Sequence, residues 1–368
     1  MALPLPQQER LARLRLARTD SIGPVTFHEL LAHFGSAAEA IEALPQLTAQ
    51  SRRRAPVDIV HADQAMAEFD AAGKIGARVL VFGDPDYPQM LRAVDPAPPV
   101  ISCLGQAGLL IRPAIAIVGS RNASAAGARL AAMIAEELGR ADYVIVSGFA
   151  RGIDTAAHTG SLPSGTIGVF AGGLDVVYPP ENMPLYGKVK TEGVLVSEMP
   201  PGTRPIAKLF PRRNRLISGL SLAVVVVEAA MRSGSLITAR FALEQGREVL
   251  AVPGSPLDPR AKGSNSLIKQ GAPLVESAED VLAALGPSLR HHHLREPEAC
   301  AFPKPERPEL DEDARRKVVA ALSPTPTHID EIIRHSQLPA SMVRGVLLEL
   351  DLSGRLNREP GGYVSLTS

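Results

Sequence analysis

Residues 204 to 215 read RPIAKLFPRRNR and carry five cations, Arg204, Lys208, Arg212, Arg213 and Arg215, with no acidic residue among them. Phe210 stands inside the run. An aromatic ring among guanidinium groups is what single-stranded nucleic acid uses, phosphates against the cations and a base against the ring. A solvated charge run is the ordinary alternative. Read as an extended lead into the apolar "LAVVVVEA", the segment alternates sides, which leaves open which of Arg212, Arg213 and Arg215 faces a ligand.

Three further turns repeat the chemistry. "IVGSRNAS" places Ser120 and Arg121 after a strand-like run and ahead of a helix-like one, where free backbone N–H groups favour an anion. "VSGFARGIDTAAHTG" does the same with Gly148, Arg151 and Gly152. Asp154 and His158 stand four apart there, a spacing open to metal binding or proton relay, although a first-turn carboxylate and a packed histidine are the plainer reading. "VVVVEAAMRSGSLITA" puts Glu228 at a strand end, then Arg232, Ser233, Gly234, Ser235 and Thr238 at a helix start, which suits a phosphate. The chain has no GxGxxG, GxSxG, HExxH or phosphate-binding P-loop motif, so the pattern points to anion binding without an activated nucleophile or a cofactor.

Such turns need strands to end at them. Between 114 and 285, short Val/Ile-rich strands at 114, 143, 166, 193, 222 and 248 alternate with helix-period segments, the pattern of an α/β parallel sheet covered by helices on both faces. Loops at the carboxyl ends of such strands form the ligand crevice. "DPAPPVISCLG" upstream reads as an extended connection. Residues 1–60 read as a small helical domain with helices at 7–18 and 25–44, and 61–285 as the sheet domain, opened by a helix near 61–73 and a strand in "ARVLVFGD". Residues 286–310, with His291 to His293, read as a solvated linker. Residues 311–368 read as helix, helix, helix and hairpin, a winged helix whose third helix carries a single arginine, Arg344; docking to DNA and contact with protein are equally open for it.

Composition removes other classes. Lys plus Arg equals Asp plus Glu, 39 each in 368 residues, so the chain is no basic coat and no acidic solvating protein. Two distant cysteines, Cys103 and Cys300, form no metal or disulfide framework and fit a reducing compartment. The N-terminus lacks a signal-peptide apolar core, and no run reaches the roughly 18 apolar residues of a membrane span. A cytoplasmic protein is expected.

The motifs "IVGSRNAS", "VSGFARGIDTAAHTG", "AGGLDVVYPPEN", "SEMPPGT", "FPRRNRLISGLS", "RSGSLITARFALEQGREVLAVPG" and "GSNSLIKQGA", in this order, resemble the DNA processing protein A family, DprA or Smf, over nearly all of 85–285. The resemblance implies an extended Rossmann-like domain that binds single-stranded DNA, protects incoming strands in natural transformation and loads the RecA recombinase. It further implies a homodimer through that domain, a sterile-alpha-motif-like helical domain before it and a winged helix after it. It assigns the DNA pocket to Arg121 and to Lys208, Phe210, Arg212, Arg213 and Asn214, with "RSGSLIT" beside them, and it transfers no catalytic residue. A second resemblance, looser, is to Rossmann-like phosphoribohydrolases acting on nucleotides, with Glu228 as the catalytic carboxylate.

Overall fold

A computed structural model describes residues 4–48, 57–292, 312–359 and 361–367. The chain divides into two compact units, 67–298 and a second made of 1–66 with 299–368.

In the second unit, α1 (Gln7–Arg18), α2 (Pro24–Phe34) and α3 (Ala37–Thr48) pack together. The single helix expected over 25–44 is two, because Gly35 takes the left-handed conformation at φ 81° and ends α2. α4 (Ala62–Lys74) leads into the sheet unit. There β1 (Arg78–Val81), α5 (Gln89–Arg92) and β2 (Val100–Gly105) precede β3 (Ala114–Val118), α6 (Ala125–Arg140), β4 (Val144–Ser147), α7 (Ile153–Ser161) and β5 (Thr166–Val169). Then come α8 (Met183–Glu192), β6 (Val194–Ser197), α9 (Leu209–Gly219), β7 (Ala223–Val226), α10 (Gly234–Glu244), β8 (Glu248–Ala251), α11 (Lys262–Lys269) and α12 (Ala278–His292).

The sheet order is β1-β2-β6-β5-β4-β3-β7-β8, parallel from β6 to β8, with β2 antiparallel to both β6 and β1. "VISCLG" is therefore a strand and not a connection. Its prolines stop at Pro99, so the ladder from Val100 onward keeps every N–H. α12 likewise runs to His292, inside the stretch read as a linker from 286. The rest of that stretch, including His293 and Cys300, lies outside the described residues.

The strands are apolar on both faces because both are covered. Val224 and Val226 of β7 point into a core with Leu216 and Ile217 of α9 and Ala239 and Ala242 of α10. Ala223 and Val225 point the other way, against Ile134 and Leu138 of α6, Ala157 of α7 and Val281 of α12. This explains why "AVVVV" shows no alternation. The chain runs β3 to β6 in one direction and then returns to place β7 on the free side of β3, so the direction of winding switches between β3 and β7. A crevice opens outside the carboxyl ends of strands at such a point.

The second unit closes with α13 (Glu312–Ala321), β9 (Thr327–His328), α14 (Ile329–Ser336), α15 (Ala340–Leu352), β10 (Leu356–Glu359) and β11 (Tyr363–Leu366), a winged helix with a three-stranded sheet. Val343, Val346, Leu347 and Leu350 of α15 fill its core. Leu348 and Leu352, each 2% exposed, lie outside that core, and α2 and α3 pack on α15. Arg358 of β10 bridges Asp351 of α15, at 3.2 Å, and Glu29 of α2, at 2.6 Å. Thr26 donates to Asp351 at 3.0 Å. Burial of Glu29 raises its pKa against the pull of Arg358.

Candidate nucleic-acid interface

The RPIAKLFPRRNR segment is helical where it was read as extended. α9 begins at Leu209, and Pro211 falls in its first turn, where a missing N–H costs no intrahelical bond. Successive residues then step about 100° around the axis. Lys208 and Arg212 are exposed, whereas Arg213 and Asn214 are buried at 6% and 8%. Helical phase therefore gives neighbouring arginines different depths, Arg212 outside and Arg213 within.

Arg215 is turned from the crevice. It donates to the Pro96 carbonyl at 3.1 Å and forms an ion pair with Glu198, the two side chains 14% and 8% exposed. Asn214 donates through Nδ2 to the Gly234 carbonyl at 3.1 Å and so ties α9 to the first residue of α10. There Ser233 caps the helix, its Oγ accepting from Ser235 N; Ser235 and Thr238 are buried, while Arg232 and Gly234 are exposed.

Phe210 is half-buried and is the meeting point of the site. The Arg121 guanidinium lies 5.1 Å from its ring centroid, the Arg213 guanidinium 5.9 Å, and the Tyr178 ring 5.8 Å, edge to face. Phe149, Phe170, Pro205, Gly148 and Arg213 line a shallow depression beside it.

The β3 and β4 turns are locked to each other. Ile153 N donates to the Ser120 carbonyl at 3.2 Å, and Gly152, at φ 78°, brings its Cα so near that a Cβ would stand 2.2 Å from that oxygen. Ser120 Oγ accepts from Asn122 N, which leaves Arg121 exposed at the apex. Arg151 is also exposed and faces Glu181 at 3.6 Å, a surface pair worth little.

The N-terminus of α6, expected to receive an anion, already holds one. Ser124 N and Oγ both donate to the Glu228 carboxylate, at 3.0 and 2.6 Å. Glu228 thus caps the helix from the end of β7.

Behind Arg213 lies a buried polar layer. Asp154 is 6% exposed and accepts from Ala150 N at 3.2 Å; burial raises its pKa, and Arg213 pulls it back. Burial lowers the Arg213 pKa to about 10, with Asp154 opposing. His158 is fully buried and neutral, its pKa pushed down to about 3 by burial and by Arg213. Its Nδ1 lies 2.7 Å from Thr166 Oγ1, which itself donates to the Ile145 carbonyl, so the histidine donates from Nδ1. A packed histidine fits this setting better than a proton relay. Among the described residues, no group of three or more His, Cys, Asp or Glu side chains could hold a metal, and no helix is long and apolar enough to cross a membrane.

Sequence reasoning passed over Phe149, Phe170, Tyr178 and Asn182. Asn182 donates to the Phe149 carbonyl at 3.0 Å and steadies that residue at φ 59°. The signal was present in "VSGFARG", a bulky residue between glycines, and in the polar "YPPEN".

The sequence model of the DNA recombination-mediator protein A family matches residues 78–286, which contain this whole site. The chain belongs to that family. Its flanks match the family's own modules, the DprA-like N-terminal HHH domain over 7–71 and the DprA winged helix domain over 302–362. Protein Smf of Escherichia coli strain K12 is 40% identical over 283 residues, 76% of this chain and 75% of that one. The X-ray structure of DNA processing protein A from Streptococcus pneumoniae superposes with a TM-score of 0.63 at 33% identity, covering 76% of this chain and 98% of the other. DNA processing protein A from Helicobacter pylori, described for its unique single-stranded DNA binding mode, superposes with a TM-score of 0.53 at 27% identity over 58% of this chain and 97% of its own.

Proposed function

We propose that the crevice at the β3–β7 switch binds single-stranded DNA, with the phosphates on Arg121, Lys208, Arg212 and Arg232 and a base on Phe210. The observation that carries this is the Phe210 ring, half-buried beside a shallow depression, with the exposed Arg121 over it. Positive charge with a stacking surface is what a flexible strand needs, and a stacked base contributes about 1–3 kcal/mol. The Helicobacter pylori relative, which is described as binding single-stranded DNA, supports the same ligand. Ser120, Gly148, Gly152, Asn214, Ser233, Ser235 and Thr238 shape the crevice in this reading, and Arg151 adds to its field.

The reading extends to a chain of 61–285 as the DNA-binding domain, paired with a second copy, that hands its strand to RecA without chemistry of its own. The family membership supports that extension. The nucleotide-hydrolase alternative requires Glu228 as a catalytic carboxylate, and its two bonds to Ser124 speak against it.

A gel shift with a single-stranded oligonucleotide tests the assignment. Arg121→Ala should weaken binding to all sequences alike and flatten the salt dependence by about 0.7 in d log K/d log[salt], the value for one phosphate. Phe210→Ala should cost about 1–3 kcal/mol and leave that slope unchanged. Unaltered affinity in both variants contradicts the assignment.

A further inference from the structure

Arg213 lies in the basic cluster yet is 6% exposed, and its Nε has no hydrogen-bond partner. Its guanidinium stands over Gly148: a Cβ there would be 1.6 Å from Arg213 Nη1 and 2.7 Å from Asp154 Oδ2. Gly148 is therefore absent of side chain to make room for the cation. Asp154 is anchored in turn by Ala150 N. Towards the crevice the same guanidinium lies 5.9 Å from the Phe210 ring, against which Tyr178 rests edge-on. Arg213 lines the depression together with Gly148 and Phe210, yet at 6% exposure its guanidinium would have to move out into the opening to reach a phosphate. Arg121, exposed and over the same ring, has no such path to travel.

We propose that Arg213 and Asp154, in the space that Gly148 leaves, form a buried brace that positions the Phe210 ring for stacking, and that Arg213 holds no phosphate. This rests on the reading of Phe210 as a base platform. Asp154 supplies the opposite charge that allows a guanidinium to stay in the interior, and the guanidinium supplies the ring with a flat, charged backing. Both are positioning residues. The brace adds geometry to the site and no counterion release.

The test is binding of the full chain to a single-stranded oligonucleotide carrying 2-aminopurine, followed across salt concentrations; the chain has no tryptophan to interfere. Arg213→Gln, Asp154→Asn and Gly148→Ala should each weaken binding about fivefold or more at every salt concentration, reduce the stacking-dependent change in 2-aminopurine fluorescence, and leave the slope against salt as in the wild type. Gly148→Ala is the decisive variant because it displaces the guanidinium and removes no charge. Arg213→Gln combined with Asp154→Asn should weaken binding much less than the product of the two single effects. A slope flattened by about 0.7 in Arg213→Gln would show a phosphate contact and overturn the proposal. So would wild-type affinity and fluorescence in Gly148→Ala and Arg213→Gln proteins that unfold cooperatively. A wild-type chain that binds no single strand at any salt concentration overturns the DNA reading itself, which distinguishes the two failures.

Discussion

Arg215 and Arg212 are three positions apart on one helix and do opposite work. Arg215 is committed to Glu198 in the interior, so Arg215→Met leaves a nearly buried carboxylate without its cation and should destabilise the sheet unit by roughly 3 kcal/mol. Denaturant unfolding measures that loss, and the salt slope of DNA binding should not change. His158 makes a second residue-scale prediction. Its folded pKa of about 3 lies below the 6.5 of the free side chain, so the unfolded chain takes up the proton first. The stability tied to a neutral His158 is therefore full above pH 6.5 and is lost as pH falls from 6.5 toward 3, about 2 kcal/mol of it by pH 5. His158→Asn, whose Nδ2 takes the place of the imidazole Nδ1 and still donates to Thr166 but does not titrate, should lose that share of the acid sensitivity. Urea unfolding of both proteins at pH 7 and pH 5 checks this, and equal losses in the two would contradict it.

At the scale of elements, α15 is the one whose surroundings matter most. The third helix of a winged helix enters a DNA groove when its outer face is free. Here α2 and α3 pack on α15, whose Leu348 and Leu352 are buried, and Arg358 is clasped between Glu29 and Asp351. Arg358→Ala would leave two half-buried carboxylates facing each other and should destabilise the unit by about 1–3 kcal/mol, seen as a lower melting temperature. Single-strand affinity should be retained. The element order of the parallel sheet was legible in the sequence because strands covered on both faces are continuous apolar runs, and most ran directly into glycine, serine or a carboxylate. α9 was not, since Pro211 and a dense cationic run imitate an extended segment; only the fact that proline is harmless in a first turn reconciles it with a helix. β2 was hidden by the prolines before it. The cations of the site could be named from the sequence, but their depth could not: burial of Arg213 and pairing of Arg215 follow from helical phase and from partners, Asp154 and Glu198, that are distant in sequence. The same holds for Glu228, whose partner Ser124 lies on another strand–helix turn.

Over the whole molecule, equal numbers of acidic and basic residues coexist with exposed Arg121, Lys208, Arg212 and Arg232, the cations proposed to hold phosphates. In the proposed reading, attraction for nucleic acid comes from these local cations rather than from net charge, and it should be strongly screened by salt. On the same proposal a single strand splays a base onto Phe210, whereas a duplex keeps its bases stacked within and offers only its backbone. The measurement that tests this most directly is an equilibrium titration of the intact chain with one oligonucleotide, single-stranded or annealed to its complement, across a range of salt concentrations. The account predicts tighter binding of the single strand, with log affinity falling linearly against log salt by about 0.7 for each phosphate held. Affinity that does not change with salt, or a duplex bound as tightly as the single strand, would contradict it.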